Sequence, residues 1–237
     1  MLARTGLDAG GDGAMRGKII VVTGAFGVLG AAAAARAQAL GARVARIDFA
    51  SAPPDADALT FGGADLSDAA EARAVIARVH AAAGRIDALL NIAGGFAWSK
   101  LEDSDAALWR GMSQINLDTA ANSSRAALAH LTESGGAIVN VGAAAALKAG
   151  AGMGAYTAAK AGVHKLTESL AEEMKGKVRV NAVLPSILDT PQNRKDMPDA
   201  DPAHWVQPGD LAAVMLFLAS DEARAVTGAL VPVTGRV

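Results

Sequence analysis

The 237-residue chain contains no cysteine, which excludes a thiolate nucleophile, a disulfide scaffold and a cysteine-ligated metal. Aromatic residues make up only 4% and include a single tyrosine. The four histidines, His80, His130, His164 and His204, show no ligand spacing of the H-E-x-x-H kind, so no metal is expected. Neither sign of charge dominates. Lys and Arg number 22 against 24 Asp and Glu, a net charge of −2 that offers no field to draw the chain onto nucleic acid or an acidic membrane. No stretch approaches the roughly 18 consecutive strongly apolar residues of a membrane span. The first sixteen residues place Gly and Asp where a signal peptide needs an apolar core, so they read as a flexible leader, with Met15 a candidate natural start. A cytoplasmic protein with a small-molecule partner is the expectation.

What the chain does have is Ala, Gly and aliphatic residues: 51% is hydrophobic and 26 residues are glycine. Short β-branched or aliphatic runs alternate with longer Ala-rich segments, the pattern of strand–helix units on a parallel sheet. Strands are expected at Lys18–Val22, Arg43–Asp48, Leu59–Gly62, Ala88–Ile92, Ala137–Val141, Val178–Val183 and Leu230–Val233. Helices are expected at Val28–Leu40, Ala69–Ala83, Ser104–Leu131, Ala155–Met174 and Pro208–Leu218. Together they predict an α/β fold: one Rossmann-type domain over 17–237, with a doubly wound seven-stranded parallel sheet and helices on both faces. The segment 186–209 holds four of the eight prolines and is far longer than the about 2–6 residues usual for such connections. It reads as a lid.

Gly24, Gly27 and Gly30 lie in TGAFGVLG, after the first strand and at the start of the first helix. Glycine there permits a sharp turn and lets a pyrophosphate reach free N–H groups at the helix N-terminus. Asp48 closes the second strand, where a carboxylate accepts hydrogen bonds from ribose hydroxyls and repels a 2′-phosphate. NAD(H) is therefore preferred, with NADP(H) kept open by the neighbouring Arg43 and Arg46. Farther on, YTAAK sets Tyr156 and Lys160 four residues apart on one helix face. An ammonium beside a phenol favours the phenolate and is expected to bring its pKa down from about 10 toward neutrality, as proton exchange beside hydride transfer requires.

With these motifs in hand, residues 17–237 resemble the short-chain dehydrogenase/reductase family. The matching segments are TGAFGVLG, Asp48, DLSD, LLNIAGG, QINLD, IVNVG, YTAAK, NAVLPS and VTGALVPV. The resemblance implies an oxidoreductase with Tyr156, Lys160 and Asn116 as its catalytic residues, Asn116 extending a proton relay. It places Phe26, Val28 and Leu29 with the three glycines at the pyrophosphate, and Asp65 and Leu66 by the adenine. Asn91, Ala93 and Gly94 would support the cofactor, Lys160 would hold the nicotinamide ribose, and Pro185 and Thr190 would meet the carboxamide. It also implies a homodimer or homotetramer.

Two departures stand out. Val28 occupies the place of the family's middle glycine, with Gly27 one position earlier, and the family's serine, thirteen residues before Tyr156, is Ala143. Both departures are shared by a branch of the family, the dihydropteridine reductases. The segments GAAAAL, GMGAYTAAKAGVHKLTESLA and LPSILDTPQNRKDMPDAD resemble that branch. A quinonoid dihydropterin takes hydride into a conjugated ring, so no alkoxide needs a serine donor. The alternatives are a reductase of a ketone or 3-oxoacyl thioester, and a non-catalytic NAD(H) sensor. Phe96, Trp98, Met153, Met197 and Trp205 are expected to frame the substrate pocket with Ala143, while His164 reads as a packed or interfacial residue.

Overall fold

The computed structural model describes residues 14–235. Seven parallel strands form one sheet: β1 (Ile19–Thr23), β2 (Arg43–Ile47), β3 (Thr60–Phe61), β4 (Ala88–Asn91), β5 (Ala137–Val141), β6 (Arg179–Pro185) and β7 (Leu230–Val233). Their order is β3-β2-β1-β4-β5-β6-β7. The strands differ from expectation by at most two residues at either end. β1 is buried along its whole length, and its side chains alternate between two cores, as a strand covered on both faces requires.

On one face Ile20 and Val22 pack with α1 (Val28–Ala39) and α7 (Pro208–Ala219). On the other, Val21 packs with α2 (Ala69–Ala83), α4 (Thr119–Ser134) and α5 (Gly154–Glu173). Small residues let helices lie close to the sheet, and in α1 Ala33 and Ala37 are fully covered. Helix ends are set locally. Asp68 caps α2 by accepting from the N–H groups of Ala70 and Glu71, and Gly84 ends it in the left-handed conformation.

Three expectations change. The helix expected over Ser104–Leu131 is broken into α3 (Ala106–Ser113), a π turn (Gln114–Asp118) and α4. The apolar periodicity runs across the extra residue of a π turn and so hides it. The lid segment is not one open loop: it carries α6 (Pro191–Asp196), capped by Thr190, and a bridge between Leu188 and Val206. Residues 1–13 of the expected leader lie outside the described residues, but Met15 is only 1% exposed and its N–H donates to the Leu40 carbonyl at 3.0 Å. Packing of the domain thus reaches back to Met15. Among the described residues no helix is long and apolar enough to cross a membrane.

Candidate active site

The chain runs outward from β1 to β3 and returns to β4 on the other side, so the order reverses between β1 and β4. In open α/β sheets ligands bind beyond the strand C-termini at that reversal. Here the two strand ends touch: Gly24 has φ +62°, and a Cβ on it would stand 2.9 Å from the Ala93 backbone. Gly30 is tighter still, since its Cβ would meet the Gly24 carbonyl oxygen at 2.1 Å. The glycines therefore let the turn close and α1 approach the strand. Val28, by contrast, has an ordinary φ, opens α1 and is 45% exposed, so this turn needs no glycine there.

A cavity of about 1700 Å³ opens at this point, well beyond the roughly 300–1,000 Å³ of ordinary ligand pockets. Gly24, Gly27, Val28, Leu29, Gly30, Asp48, Asp65, Leu66, Ala93, Gly94, Lys160, Pro185 and Thr190 line it, as expected for one end and the middle. Ala143, Phe96, Trp98, Met153, Met197 and Tyr156 line the other end. The lining fits a nicotinamide dinucleotide on two observations. Gly27 caps α1 without a side chain, leaving first-turn N–H groups free of any side-chain acceptor beside the cavity. Asp48 is held at the rim, its two oxygens accepting from the N–H groups of Phe26 and Ala50 at 2.8 and 2.9 Å.

Four expected site residues do not line the cavity. Phe26 turns its side chain to the α1–α7 core and contributes only the N–H that holds Asp48. Asn91 is buried at the end of β4, where its Nδ2 donates to Asn140 Oδ1 at 2.8 Å and to Ser124 Oγ at 3.0 Å. Asn140 in turn donates to Thr167 on α5, so this polar ladder ties β4 and β5 to two helices. Asn116 sits in the π turn, 1% exposed, with its amide spent on the Gly95 N–H and carbonyl and on the Met112 carbonyl. A side chain so committed clamps the loop after β4. Trp205 is 5% exposed, in a stretch whose backbone runs close to Gly235.

Tyr156 and Lys160 both reach the cavity, but the electrostatics differ from expectation. Burial pushes the Tyr156 phenol up to about 12 and pulls the Lys160 ammonium down to about 8. Burial is the cause of both shifts, and the Lys160 Nζ donates to the Val141 carbonyl at 2.8 Å. The phenol thus keeps its proton across the neutral range. Phe96 stands edge-on to the Tyr156 ring, centroids 5.0 Å apart, and Trp98 donates to the Ala151 carbonyl beside Gly152. These rings form an apolar wall at the reacting end.

Several lining residues escaped the sequence reading. Phe49, 75% exposed beside Asp48, and Thr119 and Ile115 around the π turn belong to the wall, as do Gln192, Asn193 and Asp196 of the lid. Only Phe49 carried a usable signal, being a large apolar side chain next to the acid. Outside the cavity, packing of α2 on α4 gathers His80, His130 and Glu133 with ligand atoms within 4.8 Å of one another. The imidazoles are stacked, 4.0 Å apart and 15° from parallel. An ion between them would stand out of both ring planes, away from the nitrogen lone pairs, so this arrangement is not a metal centre as it stands.

A glycine turn on a helix N-terminus, an acid at the second strand end and a buried Tyr–Lys pair at the far end define a nicotinamide-dependent oxidoreductase site. The short chain dehydrogenase family matches residues 18–201, and the chain belongs to that family. It is 36% identical over 234 residues to meso-2,3-butanediol dehydrogenase of Serratia marcescens, covering 92% of this chain and 93% of that protein. It is 34% identical over 244 residues to D-threitol dehydrogenase of Mycolicibacterium smegmatis, covering 94% of each. Among solved structures, carveol dehydrogenase from Mycobacterium avium in complex with NAD superposes with a TM-score of 0.83 at 27% identity, over 94% of this chain and 98% of that one. The chain is an NAD(P)-dependent oxidoreductase of this family.

Proposed function

We propose that the chain is an NAD(H)-preferring reductase of a flat conjugated heterocycle, with a quinonoid dihydropterin as the candidate substrate. The observation that carries this reading is Ala143. It lines the cavity with Tyr156, and its methyl group cannot donate the hydrogen bond that would polarise a ketone. A conjugated ring system that accepts hydride at one atom and a proton at another makes no alkoxide, so it has no need of that donor. Phe96 and Trp98 offer flat apolar surface to such a ring.

When bound, the dinucleotide supplies the hydride. Tyr156 holds its proton through the neutral range and gives it to a ring nitrogen of the acceptor, and Lys160, charged below about 8, stabilises the tyrosinate left behind. Overall the acceptor gains a hydride and a proton, and bulk solvent restores the phenol. Asn116 fixes Gly95 beside the cavity through its side-chain amide. Preference for NAD(H) is supported by the acid at position 48 and by its surroundings. Arg46 is engaged with Gln38 and Asp57, and Arg43 lies at the opposite end of β2, leaving neither beside the carboxylate to greet a 2′-phosphate.

A second reading, oxidation of a small alcohol or reduction of its ketone, is favoured by the substrates named for the butanediol and threitol relatives. One experiment separates the two. NADH oxidation is followed with freshly generated quinonoid dihydropterin, beside a panel of ketones, 3-oxoacyl thioesters and diols. Rapid pterin turnover with slow ketone reduction is expected; the reverse order gives the second reading. Tight NADH binding without turnover of any acceptor returns the sensor.

A further inference from the structure

One buried titratable group takes no part in the chemistry above. His164 is 4% exposed and lies on α5 one turn beyond Lys160 and two beyond Tyr156, so three successive turns of one helix face carry Tyr, Lys and His toward the end of β5. Its Nε2 accepts the backbone N–H of Ala143 at 3.3 Å. Gly142 makes the approach possible: a Cβ there would stand 2.5 Å from Nε2 and 2.7 Å from Cδ2, and 3.3 Å from Leu184 Cδ1. Because Nε2 accepts, the ring is neutral and carries its proton on Nδ1. Without this acceptor the Ala143 N–H would be buried and unpaired, a state that folded chains avoid.

We propose that His164 is a positioning residue, which holds the Gly142–Ala145 wall of the cavity in register with Tyr156 by gripping the backbone of Ala143. The need for such a grip follows from the substitution itself, since alanine has no side chain that could bond the substrate and fix the segment from within. Ala143 leaves β5 in an extended conformation and runs into the one-turn helix Ala144–Ala146, so the Ala143 N–H to Nε2 bond is the tie between this wall and α5. Protonation of the ring would turn Nε2 into a donor facing another donor and release the wall. Burial, and after it the charge of Lys160, hold the imidazole pKa below its ordinary value, with Glu168 opposing and Lys165 adding, all on α5. Across the ring stand Gly142, Ala143 and Leu184, none of them charged. The inference rests on hydride transfer taking place beside Tyr156 and not on which substrate receives it.

The test uses His164→Leu, which removes the acceptor, and His164→Gln, whose amide oxygen can replace it. With any acceptor that the unaltered enzyme reduces, His164→Leu is expected to lower kcat about 10- to 100-fold, the scale of a small misplacement of reacting groups, with NADH Kd within about twofold. The acid limb of the kcat profile should vanish with the imidazole, and His164→Gln should recover most of the rate. Unchanged kcat and an unchanged acid limb in His164→Leu would overturn the proposal. Should His164→Leu fail to fold, a His164→Gln enzyme with full rate but the same acid limb would do so too. Nitrogen NMR of the protein without cofactor is the independent arm: a neutral ring protonated at Nδ1 is expected, and a ring protonated at Nε2 overturns the proposal whatever the substrate proves to be.

Discussion

The backbone N–H of Phe26, inside the glycine turn, donates to the Asp48 carboxylate at the end of β2 across 2.8 Å. The acid assigned above to the cofactor ribose is thus also a strut between the first turn and the second strand. Replacing Asp48 by Asn removes the charge and one of the two acceptors. The expected result is a KM for NADH raised about tenfold, equivalent to about 1.4 kcal/mol, with a smaller gap between NADH and NADPH. Asp48→Ala should in addition lose about 1–2 kcal/mol of stability in urea unfolding, because both N–H groups lose their partner. Unchanged discrimination between the two cofactors in either variant would remove Asp48 from the cofactor reading.

Tyr156 is the only tyrosine in the chain, so its ionisation can be read directly from tyrosinate absorbance. A free tyrosine is more than half ionised at pH 10.5. Burial raises the Tyr156 pKa to about 12, so the folded protein without cofactor should show little tyrosinate at that pH, and the signal should appear only on unfolding. The sign for stability follows: the folded state holds this proton more tightly than the unfolded chain, so its contribution is full below pH 10 and is lost as pH rises through about 12. In turnover, Tyr156→Phe should lower kcat by about 10²- to 10⁴-fold with NADH binding retained.

The glycine turn, the acid after the second strand and the Tyr–Lys pair were legible because each is a local pattern: a fixed spacing on one turn, strand end or helix face decides where the groups point. Where a side chain ends up among distant neighbours is not local. Asn91 and Asn116 stand in segments that touch the cavity, yet one amide turns to Asn140 and Ser124 and the other to Gly95 and Met112. Trp205 stands within the lid segment but is buried and does not line the cavity. His80 and His130 meet only because α2 lies on α4, and the lowered pKa of Lys160 depends on a degree of burial that no spacing reveals. The central strands were the most readable, since β1 and β4, buried along their whole length, are nearly continuous apolar runs.

Ala143 offers a substitution that should add a function rather than remove one. It lines the same cavity as Tyr156, so Ala143→Ser adds a hydroxyl to that lining while keeping the backbone N–H that His164 accepts. If the missing donor is what disfavours ketones, kcat/KM for a small ketone should rise about tenfold or more, in keeping with one added hydrogen bond to developing charge. Pterin turnover should change little. An Ala143→Ser enzyme that gains nothing on any ketone would show that the cavity excludes them by shape.

Acid should weaken the fold in two separate steps. His130 and His164 both have pKa values held below 6.5, His130 by burial and then by the stacked His80, His164 by burial and then by Lys160. Below pH 6.5 the unfolded chain therefore binds more protons than the folded one, and stability falls as pH drops, until the folded pKa values have been passed. Asp189 acts later. Arg194 and then Gln207 hold its carboxyl at about 2, so its contribution is present above 3.8 and is lost as pH falls toward about 2. Urea unfolding at pH 7.5, 6 and 5 should give successively lower midpoints, while nothing attributable to Asp189 changes in that range. His130→Gln keeps a polar side chain on α4 but cannot take the extra proton, so it should flatten part of the decline. A midpoint that stays level from pH 7.5 to 5 would mean that His130 and His164 are protonated as easily in the folded chain as in the unfolded one.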